Sequence, residues 1–337
     1  MSPFMLLQLI VGYTLCVYYN VKFILLFIIG YLFKGHKDLL EVKERSIPPK
    51  ILQDPLYGQH KYITVNGIKL HYVEKGDENK PMMLFVHGFP EFWFSWRHQM
   101  VEFSKDYRCI AIDMRGYGDS EKPEGLAPYE IDNMVDDLRA LVKALDKNEL
   151  ITLVCHDWGA VIGWRYLLRH MDTVEKYVMI GAPSVEVYGK LASRQWDQFR
   201  KGWYIFFFKA PIIPEIALRM KDLAVFRTMK TGSTTNEDIE AFKYTFAKSR
   251  ALTYPINYYR VNGFGKYKRI KKKPEKYAPG LYLLGEKEEY ISLSTGPAMM
   301  KAYPNLTYKV IPGATHFAQQ DKPTLVNEMM RNFLIPK

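Results

Sequence analysis

The chain has 337 residues, a formal net charge of +11 and three cysteines. Its length accommodates one large α/β domain with an insertion. No nucleic-acid-binding motif accompanies the positive charge, so we expect no nucleic acid partner. The cysteines Cys16, Cys109 and Cys155 are scattered through apolar runs, a pattern that argues against a disulfide framework.

The first 34 residues differ from the rest of the chain. Nearly every residue in Phe4–Phe33 is apolar, with interruptions at Gln8, Asn20 and Lys22. About 20 apolar residues suffice to cross a bilayer. Because no small-residue cleavage site precedes the charged stretch, we predict a membrane anchor over residues 1–34 rather than a removed signal peptide. Lys22 then requires a snorkelling side chain or a shorter span, and a re-entrant or surface-lying segment is the alternative.

Basic residues follow this segment, and none precedes it. They are Lys34, Lys37, Lys43 and Arg45. Because positive residues favour the cytosolic side, we expect a single-pass protein whose bulk faces the cytosol. In the opposite orientation, the Asn-Leu-Thr sequon at Asn305 would be open to glycosylation.

Residues 35–58 are predicted to be a linker, with three prolines within Ile47–Tyr57. The segments Tyr62–Val65 and Lys69–Val73 then alternate in polarity and are joined by Asn66-Gly67, which is typical of a hairpin. The continuous apolar runs that follow are typical of strands buried on both faces of a mostly parallel sheet. These runs are Met82–Val86, Cys109–Ile112, Ile151–Val154, Tyr177–Ile180, Leu281–Leu284 and Tyr308–Ile311.

Helix-length segments separate most of these runs. They are Ile131–Leu145, Ala160–His170, Gly296–Ala302 and Pro323–Phe333. An antiparallel start followed by strand–helix repeats predicts a sheet with helices on both faces, formed by residues 59–183 and 277–337. Residues 184–276 interrupt this order after the sixth strand and are rich in aromatic residues. We predict that they form a helical cap over the carboxyl edge of the sheet, where open α/β sheets bind ligands.

A basic run lies at the end of this cap. Lys266–Lys276 carries seven Lys or Arg residues against one Glu. Such a run is typical of a solvated loop, and attraction to an anionic membrane surface is the alternative.

The segment Cys155-His156-Asp157-Trp158-Gly159 joins a predicted strand to a predicted helix. Small residues two before and two after the central residue are typical of a nucleophile elbow. The central residue is Asp157, whose carboxylate could attack a saturated electrophilic carbon and form an ester. This indicates the opening of an epoxide or of a carbon–halogen bond. Taken alone, Asp157 could simply be a helix cap.

Two further loops follow predicted strands. In His87-Gly88-Phe89-Pro90, a tight turn with a proline that can be cis would aim the Phe89 backbone N–H at the site. With the Trp158 N–H it would form an oxyanion hole; an ordinary turn is the alternative. His316, in the glycine-bearing loop after the last run, is the expected general base.

A carboxylate is needed to orient His316. Glu288 lies in the loop after Leu281–Leu284, and the order nucleophile, acid, histidine is that of the α/β-hydrolases. Glu286, Glu289 and Glu186 are alternatives for this acid.

From about Tyr57 to its end, the sequence resembles an α/β-hydrolase of the epoxide hydrolase family, and with its apolar N-terminus it is most similar to the membrane-anchored animal members. The segments that carry the resemblance are His87-Gly88-Phe89-Pro90-Glu91-Phe92-Trp93, Ser95-Trp96-Arg97-His98-Gln99, Asp113-Met114-Arg115-Gly116-Tyr117-Gly118-Asp119-Ser120, His156-Asp157-Trp158-Gly159 and Gly313-Ala314-Thr315-His316-Phe317. The resemblance implies the α/β-hydrolase fold with its cap, and a location in the membrane of the endoplasmic reticulum.

The resemblance also implies two cap tyrosines that donate hydrogen bonds to the epoxide oxygen. Tyr204 matches the first and Tyr259 the second, with Tyr258 as an alternative for the second. The sequence departs from the family in two places, because Glu288 stands where Asp is usual and Cys155 where Gly or Ala is usual.

We therefore expect an epoxide hydrolase that needs no metal or cofactor and acts on a lipophilic epoxide and water. A dehalogenase with the same Asp–His chemistry is one alternative, although it requires halide-binding donors and the tyrosine pair argues against it. A hydrolase-fold protein that binds a lipophilic ligand without turnover is the other, because Glu288 replaces the usual Asp.

Overall fold

An eight-stranded sheet forms the centre of the protein. The computed structural model describes residues 3–34, 37–146, 150–229, 232–262, 270 and 274–335. Most of the basic run at 266–276 therefore lies outside the described residues. The strands are β1 (Gln59–Val65), β2 (Ile68–Lys75), β3 (Met82–Val86), β4 (Arg108–Ile112), β5 (Ile151–His156), β6 (Val174–Ile180), β7 (Gly280–Gly285) and β8 (Leu306–Ile311).

The strands lie in the order β1-β2-β4-β3-β5-β6-β7-β8. The pairs β1–β2 and β2–β4 are antiparallel, and all other neighbours in the sheet are parallel. Every residue of β3 and β5 is buried, as the continuous apolar runs predicted. The predicted fold class, a mostly parallel sheet that begins with an antiparallel hairpin, is confirmed.

Helices cover the sheet and form the cap. They are α1 (Pro3–Lys34), α2 (Lys37–Leu40), α3 (Arg97–Phe103), α4 (Ile131–Leu145), α5 (Trp158–His170), α6 (Val185–Ala192), α7 (Trp196–Lys201), α8 (Trp203–Phe207), α9 (Ile213–Leu223), α10 (Asn236–Ala247), α11 (Thr253–Val261), α12 (Thr295–Ala302), α13 (Ala318–Asp321) and α14 (Pro323–Leu334). Helices α6 to α11 lie between β6 and β7, and no strand occurs among the described residues of that segment.

The short helix α3 was not anticipated from the sequence. Its residues Arg97 and Gln99 are 1% and 0% exposed, so polar side chains occupy the face that a hydrophobic pattern would mark as buried. Arg97 pairs with Asp238 of the cap at 3.0 Å, and the Gln99 side chain donates to Asn327 of α14. Tertiary partners therefore stabilise a helix that the pattern of apolar residues does not reveal.

The sheet order determines where a ligand can bind. Strand β3 has β4 on one side and β5 on the other, so the chain changes direction across the sheet between β3 and β5. A crevice forms at such a switch point, outside the carboxyl ends of the strands. The loop that follows β3 begins at His87, and the residue that follows β5 is Asp157. The fold thus brings the two predicted loops together.

The N-terminal helix packs against the cap. The ring centroids of Phe23 and Phe207 are 5.6 Å apart. Within α1, the apolar stretch Ile10–Phe33 is long enough to cross a membrane, and almost none of it is buried. A signal sequence near the N-terminus passes the same test of length and composition. These two properties therefore do not distinguish a membrane anchor from a signal sequence.

Candidate active site

Asp157 occupies a strained turn between β5 and α5. Its backbone has φ 48° and ψ −116°, a left-handed conformation that is rare outside glycine. The turn requires close approach of the β3 loop. A Cβ at Gly159 would lie 2.2 Å from the carbonyl oxygen of Val86, and one at Gly88 would lie 2.4 Å from the Asp157 Cβ. The two glycines therefore let the Asp157 carboxylate meet the loop that carries Phe89.

Two groups contact the Asp157 carboxylate. The backbone N–H of Phe89 donates to Oδ1 at 2.8 Å, and the Nε2 of His316 lies 3.5 Å from Oδ2. Burial raises the pKa of Asp157, but His316, His156 and the Phe89 N–H outweigh it and the pKa falls below its usual value. Asp157 is therefore held as a carboxylate, the form that can attack carbon.

Glu288 contacts the ring of His316. Its Oε2 and Oε1 lie 2.9 and 3.0 Å from the Nδ1 of His316. The Glu288 side chain is 0% exposed, and its Oε1 also accepts the backbone N–H groups of Tyr290 and Ile291. Burial lowers the pKa of His316, but Glu288 and Asp157 together raise it well above the usual value.

The alternative acids have other positions. The Oε2 of Glu286 accepts the backbone N–H of Gly313, and Glu186 lies in the first turn of α6. No contact joins His316 to Glu289 within the described part of the chain. Glu288, the sequence-based choice, is thus the carboxylate brought to the histidine, although its role stays a prediction.

Tyr204 and Tyr259 line the same cavity as Asp157 and His316. Their ring centroids are 5.9 Å apart. Burial first, and the nearby Asp157 charge among further causes, raise the pKa of both phenols well above the usual value. Both hydroxyls therefore stay protonated and able to donate. Tyr258 differs, because its hydroxyl donates to the carbonyl of Arg115 at 2.7 Å and it is fully buried.

Of the two backbone donors predicted for the oxyanion hole, the Phe89 N–H makes a hydrogen bond in the site. The Phe89 N–H already contacts Asp157, and the Phe89-Pro90 peptide is cis. Trp158 is the first residue of α5, so its N–H is one of the amides at the helix N-terminus that lack an intrahelical partner. Its part in the oxyanion hole stays a prediction.

Sequence reasoning missed a buried carboxylate beneath the site. The Oε2 of Glu91 accepts the Gly88 N–H at 2.8 Å and contacts the Nδ1 of His156 at 2.7 Å. The Nε2 of His156 in turn donates to the backbone carbonyl of His316 at 2.9 Å. Gln319 and Gln320 donate to Oε1 of Glu91. A charged residue in the otherwise apolar segment after Pro90 was the available signal.

The cavity has a volume of about 620 Å³ and lies between the sheet edge and the cap. Its walls are mostly apolar and aromatic, while Asp157, His316, Tyr204 and Tyr259 supply reactive polar groups. A site of this size and character suits a small lipophilic molecule.

The comparisons with known proteins agree with this geometry. The chain matches the alpha/beta hydrolase fold family over residues 81–323. Epoxide hydrolase 1 of Caenorhabditis elegans is 36% identical over 327 residues, which cover 94% of this chain and 79% of the relative. Epoxide hydrolase 4 of Homo sapiens is 34% identical over 320 residues, which cover 89% and 86%.

A solved structure is similar as well. The Bacillus megaterium epoxide hydrolase in complex with an inhibitor has a TM-score of 0.73 and 31% identity, and the match covers 81% of this chain and 99% of that one. The family match and the relatives agree with a site in which a histidine lies beside the aspartate of the elbow. The chain is an α/β-hydrolase of the epoxide hydrolase family.

Proposed function

We propose that this protein converts a lipophilic epoxide into a vicinal diol through an ester of Asp157. The observation that carries the proposal is the position of the Asp157 carboxylate, which contacts His316 and the Phe89 N–H at the base of a cavity that Tyr204 and Tyr259 also line. The epoxide hydrolases among the relatives support the reaction class.

In the first step, Tyr204 and Tyr259 donate hydrogen bonds to the epoxide oxygen. The Asp157 carboxylate attacks a ring carbon from the opposite side, so the C–O bond of the ring breaks as the ester bond forms. The alkoxide that is released takes a proton from one of the tyrosines. The raised pKa of both phenols keeps that proton available at neutral pH.

In the second step, water hydrolyses the ester. His316 removes a proton from the water, which attacks the Asp157 carbonyl carbon, and the N–H groups of Phe89 and Trp158 stabilise the oxyanion. Ester formation removes the negative charge of Asp157, one of the two charges that raise the pKa of His316. The pKa of the histidine therefore falls when it must act as a base. Glu288 stabilises the imidazolium, which gives its proton to the departing diol oxygen as the ester C–O bond breaks. The proton left on the regenerated Asp157 carboxyl restores the tyrosine, and the diol leaves.

The cap tyrosines favour an epoxide over a carbon–halogen bond. A phenol can both hydrogen-bond the ring oxygen and return its own proton to the alkoxide, whereas a halide leaves without needing one. A protein that only binds a ligand would have no use for a histidine held between Asp157 and Glu288.

The N-terminal helix supports a membrane location. Asn20 of α1 donates to the carbonyl of Phe207 in the cap at 3.2 Å, so the helix is part of the packed structure. In our proposal α1 anchors the protein in the endoplasmic reticulum membrane, with the catalytic part in the cytosol. The basic residues after the apolar segment support this side.

A single turnover in oxygen-18 water tests the chemistry. With enzyme in excess over styrene oxide, we expect the label in Asp157, because water attacks the ester carbonyl rather than the epoxide. The H316Q variant should accumulate the ester, visible as added mass on the peptide that contains Asp157. Label that appears directly in the diol would show that water attacks the epoxide and would overturn the ester mechanism.

A panel of epoxides and haloalkanes tests the substrate class. Turnover of epoxides without halide release is the expected result. Halide release would favour the dehalogenase, and absence of any turnover in the folded full-length protein would favour the binding protein.

A further inference from the structure

Helix α1 contacts the cap near its midpoint rather than at its end. The ring centroids of Tyr19 and Trp203 are 5.6 Å apart, and the amide of Asn20 donates to the carbonyl of Phe207. Tyr19 and Asn20 lie near the middle of the apolar stretch Ile10–Phe33. Asn20 is 5% exposed, so the cap covers a polar side chain within the apolar stretch, whose amide also donates to the carbonyl of Cys16 in α1.

This contact restricts how the protein can sit in a membrane. At about 1.5 Å per residue the stretch is long enough to cross the hydrocarbon core, which is about 30 Å thick. If α1 crosses the core upright, its midpoint lies about 15 Å deep, and the part of the cap that touches it must enter the lipid. If α1 lies along the membrane, the same part meets the lipid from the side. Both orientations bring the part of the cap that touches α1 against lipid.

The cap carries exposed apolar side chains between the start of α7 and the first turns of α9, and α8, which lies between these two helices in the chain, packs against α1. Trp196, Trp203, Ile212 and Ile216 are 74%, 44%, 68% and 38% exposed. They are the exposed large apolar residues among the described part of the cap, and all fall within one segment of 21 positions, 196–216. Tryptophan is enriched where proteins meet the membrane interface. We call these four residues the cap face.

The chain beyond α1 is attached to the cap as well. The guanidinium of Arg45 pairs with Asp222 at 2.7 and 2.8 Å and with Glu240 at 3.1 Å. The backbone N–H of Lys43 also donates to Asp222. These contacts hold the segment after the helix against α9 and α10, so the cap cannot turn freely relative to α1.

Residues of α1 and α8 form part of the wall of the cavity that holds Asp157. Lys22, the charged residue within the apolar helix, is exposed and is one of the residues that line this cavity. Besides Tyr204, the lining residues from the two helices are Tyr19, Lys22, Phe23, Leu26, Trp203 and Phe207.

We propose that α1 and the cap face form one surface embedded in lipid, and that the epoxide reaches Asp157 from the hydrocarbon along the part of the cavity wall that α1 and α8 form. The route rests on the proposed function, whereas the embedding does not. The substrate class that follows is an epoxide dissolved in the bilayer.

Tryptophan fluorescence tests the embedding without any turnover. The protein has six tryptophans, and the four outside the cap face are at most 8% exposed. In vesicles of phosphatidylcholine brominated on its acyl chains, we expect the full-length protein to be quenched. The double variant W196F/W203F should lose most of this quenching, whereas W93F should retain it. Quenching of Trp196 and Trp203 by aqueous acrylamide but not by brominated lipid would overturn the embedding.

Two neighbouring leucines test the route. Leu25 and Leu26 are 56% and 59% exposed on the same helix, but only Leu26 lines the cavity. In vesicles that contain a long-chain epoxide, L26W should raise KM by about tenfold through obstruction of this route, with kcat unchanged. L25W should match the parent protein. Styrene oxide, which is small and dissolves in water, should show little change in either variant.

The outcomes separate the two proposals. If the parent turns over epoxides and L26W behaves as L25W does, the route is wrong and the proposed function stands. If no epoxide is turned over, the proposed function fails and the route fails with it, while the quenching experiment still decides whether the cap face lies in lipid.

Discussion

Glu288 holds His316 with both carboxylate oxygens, at 2.9 and 3.0 Å from Nδ1. The side chain is one methylene longer than the aspartate usual in the family, and two backbone N–H groups of the following loop fix it in place. The longer side chain therefore keeps both oxygens within hydrogen-bond distance of the histidine while it accepts from the local turn.

The E288Q variant should slow ester hydrolysis far more than ester formation. Loss of the charge that stabilises the imidazolium should cost roughly 10²–10⁴-fold in that step. Rapid-quench measurement of the Asp157 ester should show it accumulating. E288D should keep part of the activity, because the acid is retained. If E288Q hydrolyses the ester at nearly the parent rate while E186Q or E289Q loses most of that rate, another carboxylate acts on His316.

The Y204F and Y259F variants should slow ester formation. Removing one preorganised donor to a developing oxyanion costs about 10²–10³-fold, and the double variant should form no measurable ester. Y258F provides the matched control, because its hydroxyl donates to the Arg115 carbonyl outside the cavity. We expect Y258F to lower the free energy of unfolding by about 1 kcal/mol and to leave ester formation unchanged. Equal rates in Y204F and the parent would remove Tyr204 from the mechanism.

The rate of ester formation should be flat across a wide pH range. The nucleophile is the deprotonated Asp157, whose pKa is lowered, so the rate should fall only below about pH 4. The acids are protonated Tyr204 and Tyr259, whose pKa values are raised, so no alkaline decline should appear below about pH 10. Stopped-flow fluorescence of Trp158, beside the nucleophile, would follow this step. A decline centred between pH 6 and 9 would contradict both assignments.

The E91Q variant should slow both half-reactions and lower Tm. The Glu91 carboxylate accepts hydrogen bonds from the Gly88 N–H on one oxygen and from two glutamine side chains on the other, and the NH2 group that replaces one of these oxygens in E91Q cannot accept. Each buried donor left without a partner costs about 1–3 kcal/mol. Because Glu91 supports both the Phe89 turn and, through His156, the His316 loop, the two rates should fall together. A lower Tm with unchanged rates would restrict Glu91 to a role in stability.

Protease added to intact microsomes should digest the catalytic part of the protein. The prediction follows from Lys34, Lys37, Lys43 and Arg45, which succeed the apolar segment. Detergent-treated microsomes provide the control for protease activity. Protection of the domain, or a glycan on Asn305, would place it on the lumenal side.

The sequence by itself determined the features that depend on short stretches of chain. Apolar runs predicted β3 and β5 because a strand covered on both faces needs apolar side chains at every position. The elbow was recognisable because its turn requires small residues two positions before and two positions after Asp157. The span length of α1 follows from composition alone.

Only the tertiary structure decided which distant residues meet. It brought Glu288, rather than Glu286 or Glu186, to His316, and it placed Tyr259 in the cavity while Tyr258 contacts Arg115. In the sequence, Lys22 is only a charged interruption of an apolar helix. In the structure it is one of the residues that line the cavity. Such contacts arise where the chain crosses between β3 and β5 and where the cap folds over that edge. No local pattern encodes them, because the partners are often more than 100 positions apart.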